Sequence, residues 1–178
     1  MDKIICIVII IAITGCRGDE NKKTYQDFQA QGFNLVLGND FVDVQYNLEN
    51  DSLKAWLLPD NNFYKDTMHL SIDEKNEIAS RFFEQNIDEC YGHTNVDGRN
   101  FSFPRVDNGI HLYIHKKEIA TLSVIKDYEP EGIFTDKREK SIVKFRDSVW
   151  KILNKKSKFK VAQDSLRSLL RKNPIPLM

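Results

Sequence analysis

Apolar and polar residues take turns between Phe33 and Leu58, and no other property of this chain restricts its fold more. Phe33, Leu35 and Leu37 share one parity, and Gly38-Asn39-Asp40 supplies a turn. Val42, Val44, Tyr46 and Leu48 then alternate with Asp43, Gln45 and Asn47. Glu49-Asn50-Asp51 is a second turn, and Ser52 to Leu58 is a third apolar-rich run that ends at Pro59. Side chains of a strand point alternately to its two faces, so this pattern predicts an antiparallel meander with one buried and one wet face. After the turn at Asp60-Asn61-Asn62, Phe63 to Leu70 is a further candidate strand.

The period then changes. Ser71 and Glu74 form an S-x-x-E capping box, and Ile78, Ala79, Phe82 and Phe83 follow at helical spacing, which predicts a helix from Ile72 to Asn86. Cys90 to Phe103, with Gly92, Asn95, Asp97-Gly98 and Asn100, reads as loop. A hairpin follows, with Ile110, Leu112 and Ile114 on one strand and Ala120, Leu122 and Val124 on the other. These share a face only if opposite residues have equal parity, for example Leu112 with Leu122, which predicts an odd loop, Lys116-Lys117-Glu118. His111, Tyr113 and His115 then lie on the wet face opposite Thr121 and Ser123. The last third is helical, capped at Thr135 or Asp136. Its stripes are Ile142, Val143, Val149, Trp150, Leu153 and then Phe159, Ala162, Leu166, Leu169, Leu170, with a break at Asn154 to Ser157. Asn173-Pro174-Ile175-Pro176 ends it. The expected fold class is α+β, an antiparallel sheet of meander plus hairpin packed by a central helix and C-terminal helices.

A chain of 178 residues with 41% hydrophobic and 11% aromatic residues holds enough apolar surface for one packed domain. Its formal charge is zero, which gives no argument for a nucleic-acid partner, and the export signal described below is the reason none is expected. The zero conceals an asymmetry. Lys137 to Lys172 holds thirteen basic and three acidic residues, and Cys16 to Asp136 holds twelve basic and twenty-two acidic. The basic third, with Lys155, Lys156, Lys158 and Lys160 clustered at the helix break, fits three readings. It is a docking face for an acidic partner or anionic headgroups, a surface laid against the chain's own acidic sheet rim, or a solvated helix face.

The N-terminus carries a targeting signal. Lys3 precedes Ile4 to Ile13, ten residues without charge. Such a run reaches roughly 15 Å as a helix, half the hydrocarbon core, which suits a signal peptide and not a membrane span. Ile13-Thr14-Gly15-Cys16 resembles the lipobox of bacterial lipoproteins, with Ile in place of the usual Leu. The resemblance covers residues 1–16 only. It implies cleavage before Cys16, a diacylglycerol on its sulfur and an acyl chain on its new amine. The expected organisation is a signal peptide at 1–15, the lipidated Cys16 with a flexible tether at 16–32, and one α+β domain at 33–178. No Asp directly follows Cys16, so the expected location is the outer membrane. Cys6 leaves with the signal, so Cys90 has no disulfide partner within the mature chain and is expected to be buried.

Motifs for nucleophile elbows, zinc-protease helices, phosphate loops and dinucleotide binding are absent from the sequence. His111 and His115 on one strand stand roughly 13 Å apart, too far to share an ion. Cys90, His93 and Asp97 make half a zinc motif, and Asn95 to Phe103 places Pro104 where a calcium loop needs Glu. Ser123-x-x-Lys126 and Ser141-x-x-Lys144 match a serine acylase pattern without its companion motifs. The expected function is therefore a non-catalytic binding module for another envelope protein, of immunity type in its most specific form. It would have no cofactor beyond the covalent lipid, and would bind through the basic helices or a sheet face. The alternatives are an envelope enzyme with an unrecognised site and a structural lipoprotein whose basic helices rest on the membrane.

Overall fold

The described residues contribute seven strands to one sheet. A computed structural model describes residues 22–38, 43–56, 62–96, 107–125 and 136–172. In chain order the elements are α1 (Tyr25–Ala30), β1 (Phe33–Leu37), β2 (Asp43–Asn47), β3 (Ser52–Trp56), β4 (Asn62–Thr67) and α2 (Ile72–Glu84). A 3₁₀ turn (Ile87–Glu89) leads to β5 (Gly92–Val96), β6 (Asp107–Ile114), β7 (Lys117–Ile125), α3 (Lys137–Leu153) and α4 (Ser157–Lys172). The strands lie in the order β4-β3-β2-β1-β6-β7-β5. The fold is α+β, an open sheet with helices packed against it. The meander β1 to β4 and the β6–β7 hairpin pair antiparallel, and β5 adds in parallel beside β7, so the sheet is mixed.

Alternation does the sorting. Leu35, Leu37, Val44, Tyr46, Leu53, Ala55, Ile110, Leu112, Leu122 and Val124 are all buried and share one face. Every described helix that contacts the sheet lies on that face: α4 against β2 and β3, α3 against β5 and β7, and α1 against β1. Phe82 is the centre of the helical layer. It is fully buried, and the rings of Phe28, Phe33, Phe83 and Phe145 lie 5.0–6.0 Å from it in edge-on or tilted arrangements. The α3 Arg146 is buried as well. Its Nη1 donates to Asn108 Oδ1 at 3.2 Å and to the Ile125 carbonyl at 3.3 Å, tying α3 to β6 and β7. Its Nε lies 2.7 Å from Asp147 Oδ1 but without the alignment of a hydrogen bond, so that contact is an ion pair only.

Three local expectations are corrected. Residues 25–30, read as tether, are helix α1, whose Thr24–Asp27 capping box and buried Tyr25 and Phe28 carry it onto β1 and α2. A helix this short shows only one apolar i,i+3 pair, too little periodicity to read. Residues 92–96, read as loop, are the edge strand β5, in which only Val96 is buried, so no apolar alternation marks it. The hairpin has a two-residue turn, not an odd loop. His115 and Lys116 both take positive φ, 49° and 68°, and the register shifts between Leu112↔Ala120 and Tyr113↔Glu118, leaving Ile119 as a bulge. Ile110 therefore faces Leu122, and the bulge does the parity-keeping that the sequence assigns to the loop. The central helix ends at Glu84, and Ser71 and Glu74 cap it reciprocally as expected. Asp136 is the cap of α3. Cys16, Asp97, Thr135 and residues 173–176 lie outside the described residues.

Candidate functional site

The four lysines at the helix break separate into two pairs. Lys156 Nζ sits 2.6 Å from Glu74 Oε2, where α2 begins, and Lys158 Nζ sits 2.8 Å from Asp66 Oδ1 and donates to the Thr67 carbonyl on β4. Burial alone would raise the Glu74 carboxyl, and hydrogen bonds from Lys156 and Ser71 overcome it and hold it below its usual range. The bond from Lys158 holds Asp66 low too. These two lysines lay α4 against the acidic rim, which is one of the three readings of the basic third. Lys155 and Lys160 are exposed and form no ion pair among the described residues. Lys156→Glu is accordingly expected to cost about 1 kcal/mol or more and to lower Tm by about 2–4 °C. Lys155→Glu and Lys160→Glu should stay within about 0.5 kcal/mol of the parent. Thermal unfolding followed by circular dichroism checks both. Reversing all four together therefore reads the fold as well as any partner.

Among the described residues, the densest group of titratable side chains is one that sequence reasoning missed. Asp51 stands in the β2–β3 turn at φ 57°. Its Oδ1 accepts from Tyr46 OH at 2.5 Å and pairs with Lys75 Nζ at 2.8 Å, and its Oδ2 pairs with His69 Nδ1 at 3.0 Å. Lys75 also donates to the Leu48 carbonyl, as Tyr25 OH does. Burial raises the Tyr25 hydroxyl to about 12, with Asp51 and Glu49 adding to it. Tyr46 is pushed up by burial and by its bond to Asp51. The carboxylate is already met by three donors and the Lys75 ammonium by two acceptors, so this group clamps the turn onto α2. The signal for it in the sequence was only that Asn and Asp residues cluster at a turn.

The sheet's second face carries the remaining chemistry, and no described helix packs on it. Across β1, β6, β7 and β5 it presents Asn34, His111, Tyr113, Glu118, Thr121 and His93. Glu118 Oε1 pairs with His111 Nδ1 at 3.0 Å and accepts from Thr121 Oγ1 at 2.6 Å. Burial would raise Glu118, and the bonds from Thr121 and His111 bring it low instead. The expectation of exposed strand histidines fails for His111, which is only 4% exposed. It sits on the interior strand β6 between Val36 and Thr121, with Glu118 beside it. His93 and His115 are exposed. Cys90 is a buried free thiol, raised by burial against the opposing pull of Arg138, and His93 Nε2 instead lies 3.0 Å from Asn95 Oδ1. Among the described residues no three metal-ligating side chains come together, and no helix is long and apolar enough to cross a membrane. Compared with protein-family models, with curated proteins and with solved structures, the chain finds no match.

Proposed function

We propose that this chain is a bacterial envelope lipoprotein, acylated at Cys16 and held at the outer membrane, that works by binding another envelope protein through the second face of its sheet. The observation that carries the reading is the contrast between the two faces. One is covered by helices α1, α3 and α4; the other is a half-buried field of amide, imidazole, phenol, hydroxyl and carboxylate groups on paired, rigid strands. Such a surface suits recognition, because its side chains are held by the ladder and lose little freedom on binding. Lys156 and Lys158 are committed to Glu74 and Asp66, which favours the sheet face over the helix break as the place where a partner docks. An immunity-type role, blocking a toxin by covering it, is the most specific form of this reading.

Two measurements test it. Cys16→Ser is expected to abolish incorporation of labelled fatty acid and to leave the chain unprocessed or released from membranes; full labelling would exclude Cys16 as the anchor. A photo-crosslinker placed at Tyr113 or His93 is expected to yield one discrete adduct in whole cells, and the same group at the exposed Lys151 on the outer side of α3 should yield none. Equal adducts at all three positions would remove the sheet face from the reading.

A further inference from the structure

Helix α3 shows solvent an outer face lined by cations, with the carboxylate of Asp147 at its margin. Lys137, Lys140, Lys144 and Lys151 are exposed, and Lys155 continues the row in the turn that follows. At 3.6 residues per turn all five fall within an arc of roughly 60°, opposite the buried Ile142, Val149 and Leu153, and the four on the helix span roughly 21 Å. None of the five forms an ion pair among the described residues. Asp147, beside the arc, is occupied by Arg146. No exposed apolar side chain interrupts the row. Protein interfaces centre on apolar or aromatic anchors ringed by polar groups, and this face has none. A long, straight, predominantly cationic row, whose one neighbouring carboxylate is neutralised by Arg146, matches a flat and diffuse negative surface.

The tether enters on the same side. Lys23 Nζ lies 5.5 Å over the Phe83 ring at the end of α2. That end of α2 and the 3₁₀ turn after it share a cleft with the first turn of α3, lined by Gln85, Asn86, Glu89, Lys137, Arg138 and Ser141. Cys16 is eight residues before Thr24, a reach of at most about 29 Å. We propose that the α3 lysine row seats the domain on anionic lipid headgroups of the membrane that carries it, so that the helical layer faces the bilayer and the second face of the sheet faces away. This rests on the lipid anchor at Cys16 proposed above. Each near-surface cation strengthens such seating about fivefold, and roughly 1 M salt collapses it, because the screening length falls to about 3 Å.

The test uses the full acylated chain reconstituted in vesicles of phosphatidylcholine alone, or with 30% phosphatidylglycerol. A fluorophore is attached at Lys144→Cys or, as the far-side control, at Lys65→Cys, and a headgroup-bound quencher reports proximity; Cys90 is buried and does not compete for label. Quenching at position 144 is expected with phosphatidylglycerol only. It should vanish in 1 M salt and fall at least tenfold in apparent association on adding Lys140→Glu and Lys151→Glu, with position 65 unquenched throughout. Vesicle-bound protein with no difference between the two lipids, or equal quenching at both positions, overturns the seating. So does protection of position 144 by a second copy of the chain or by a captured protein. A chain that floats with neither vesicle type instead marks failure of the anchor.

Discussion

Phe82→Ala is expected to destabilise the domain by about 3–5 kcal/mol, the range for removing a fully enclosed aromatic ring. Four other rings lose their partner at once: Phe28 and Phe33 at 5.0 Å, Phe83 at 5.2 Å and Phe145 at 6.0 Å. These come from α1, β1, α2 and α3, so no single element can move to fill the cavity without opening another contact. For a domain of this size the loss corresponds to a fall in Tm of about 10–15 °C. Differential scanning calorimetry checks it, with Phe83→Ala as the comparison. Phe83 is half-buried, and its truncation should cost less than half as much. A Tm within about 3 °C of the parent for Phe82→Ala would show that the cluster does not hold the helical layer together.

Asp51→Asn is the second large effect, about 2–3 kcal/mol at neutral pH, because it removes the charge that Lys75 and the Tyr46 and His69 bonds are built around. Asn tolerates positive φ, so the turn itself is preserved and the loss reports the clamp. Its pH dependence is specific. Burial pushes the Asp51 carboxyl up, and the bonds from Lys75, Tyr46 and His69 outweigh it, so in the folded chain it titrates below its ordinary value of 3.8. A carboxyl depressed by folding contributes stability that is complete above its unfolded pKa and is lost as pH falls through the folded one. The gap between parent and Asp51→Asn should therefore be full above about pH 5 and close progressively below about pH 4. Urea titrations at several pH values measure it. A gap that stays constant down to pH 2 would show that Asp51 is not charged in its clamp.

The fate of the lysine cluster shows why a site is harder to read than a fold. From sequence, Lys155, Lys156, Lys158 and Lys160 are four equivalent charges. In the fold, Lys156 meets a carboxylate 82 residues away and Lys158 one 92 residues away, so half the cluster holds the structure together. The lysine row on α3 was legible in principle, since its spacing is helical, but only the burial of the opposite side showed that it faces outward. The Asp51 clamp joins a turn, β2, α2 and the segment before α2. No local pattern announces a contact between residues 24 positions apart.

What the amino-acid order determined by itself is the set of elements whose burial has a period. Alternation drew β1, β2, β3 and the β6–β7 pair, and a capping box with a helical stripe drew α2, because one whole face of each must leave water. Tertiary structure alone decided the elements with too little buried surface to show a period: α1, with two buried residues, and β5, with one. It also decided the hairpin register, since a two-residue turn with a bulge and an odd loop satisfy the same parity, and the positive φ of His115 and Lys116 and the bulge at Ile119 are what tell them apart. Side-chain partners belong to the same class. A charge has no period, and where it ends up depends on which distant element brings its counter-charge within 3 Å.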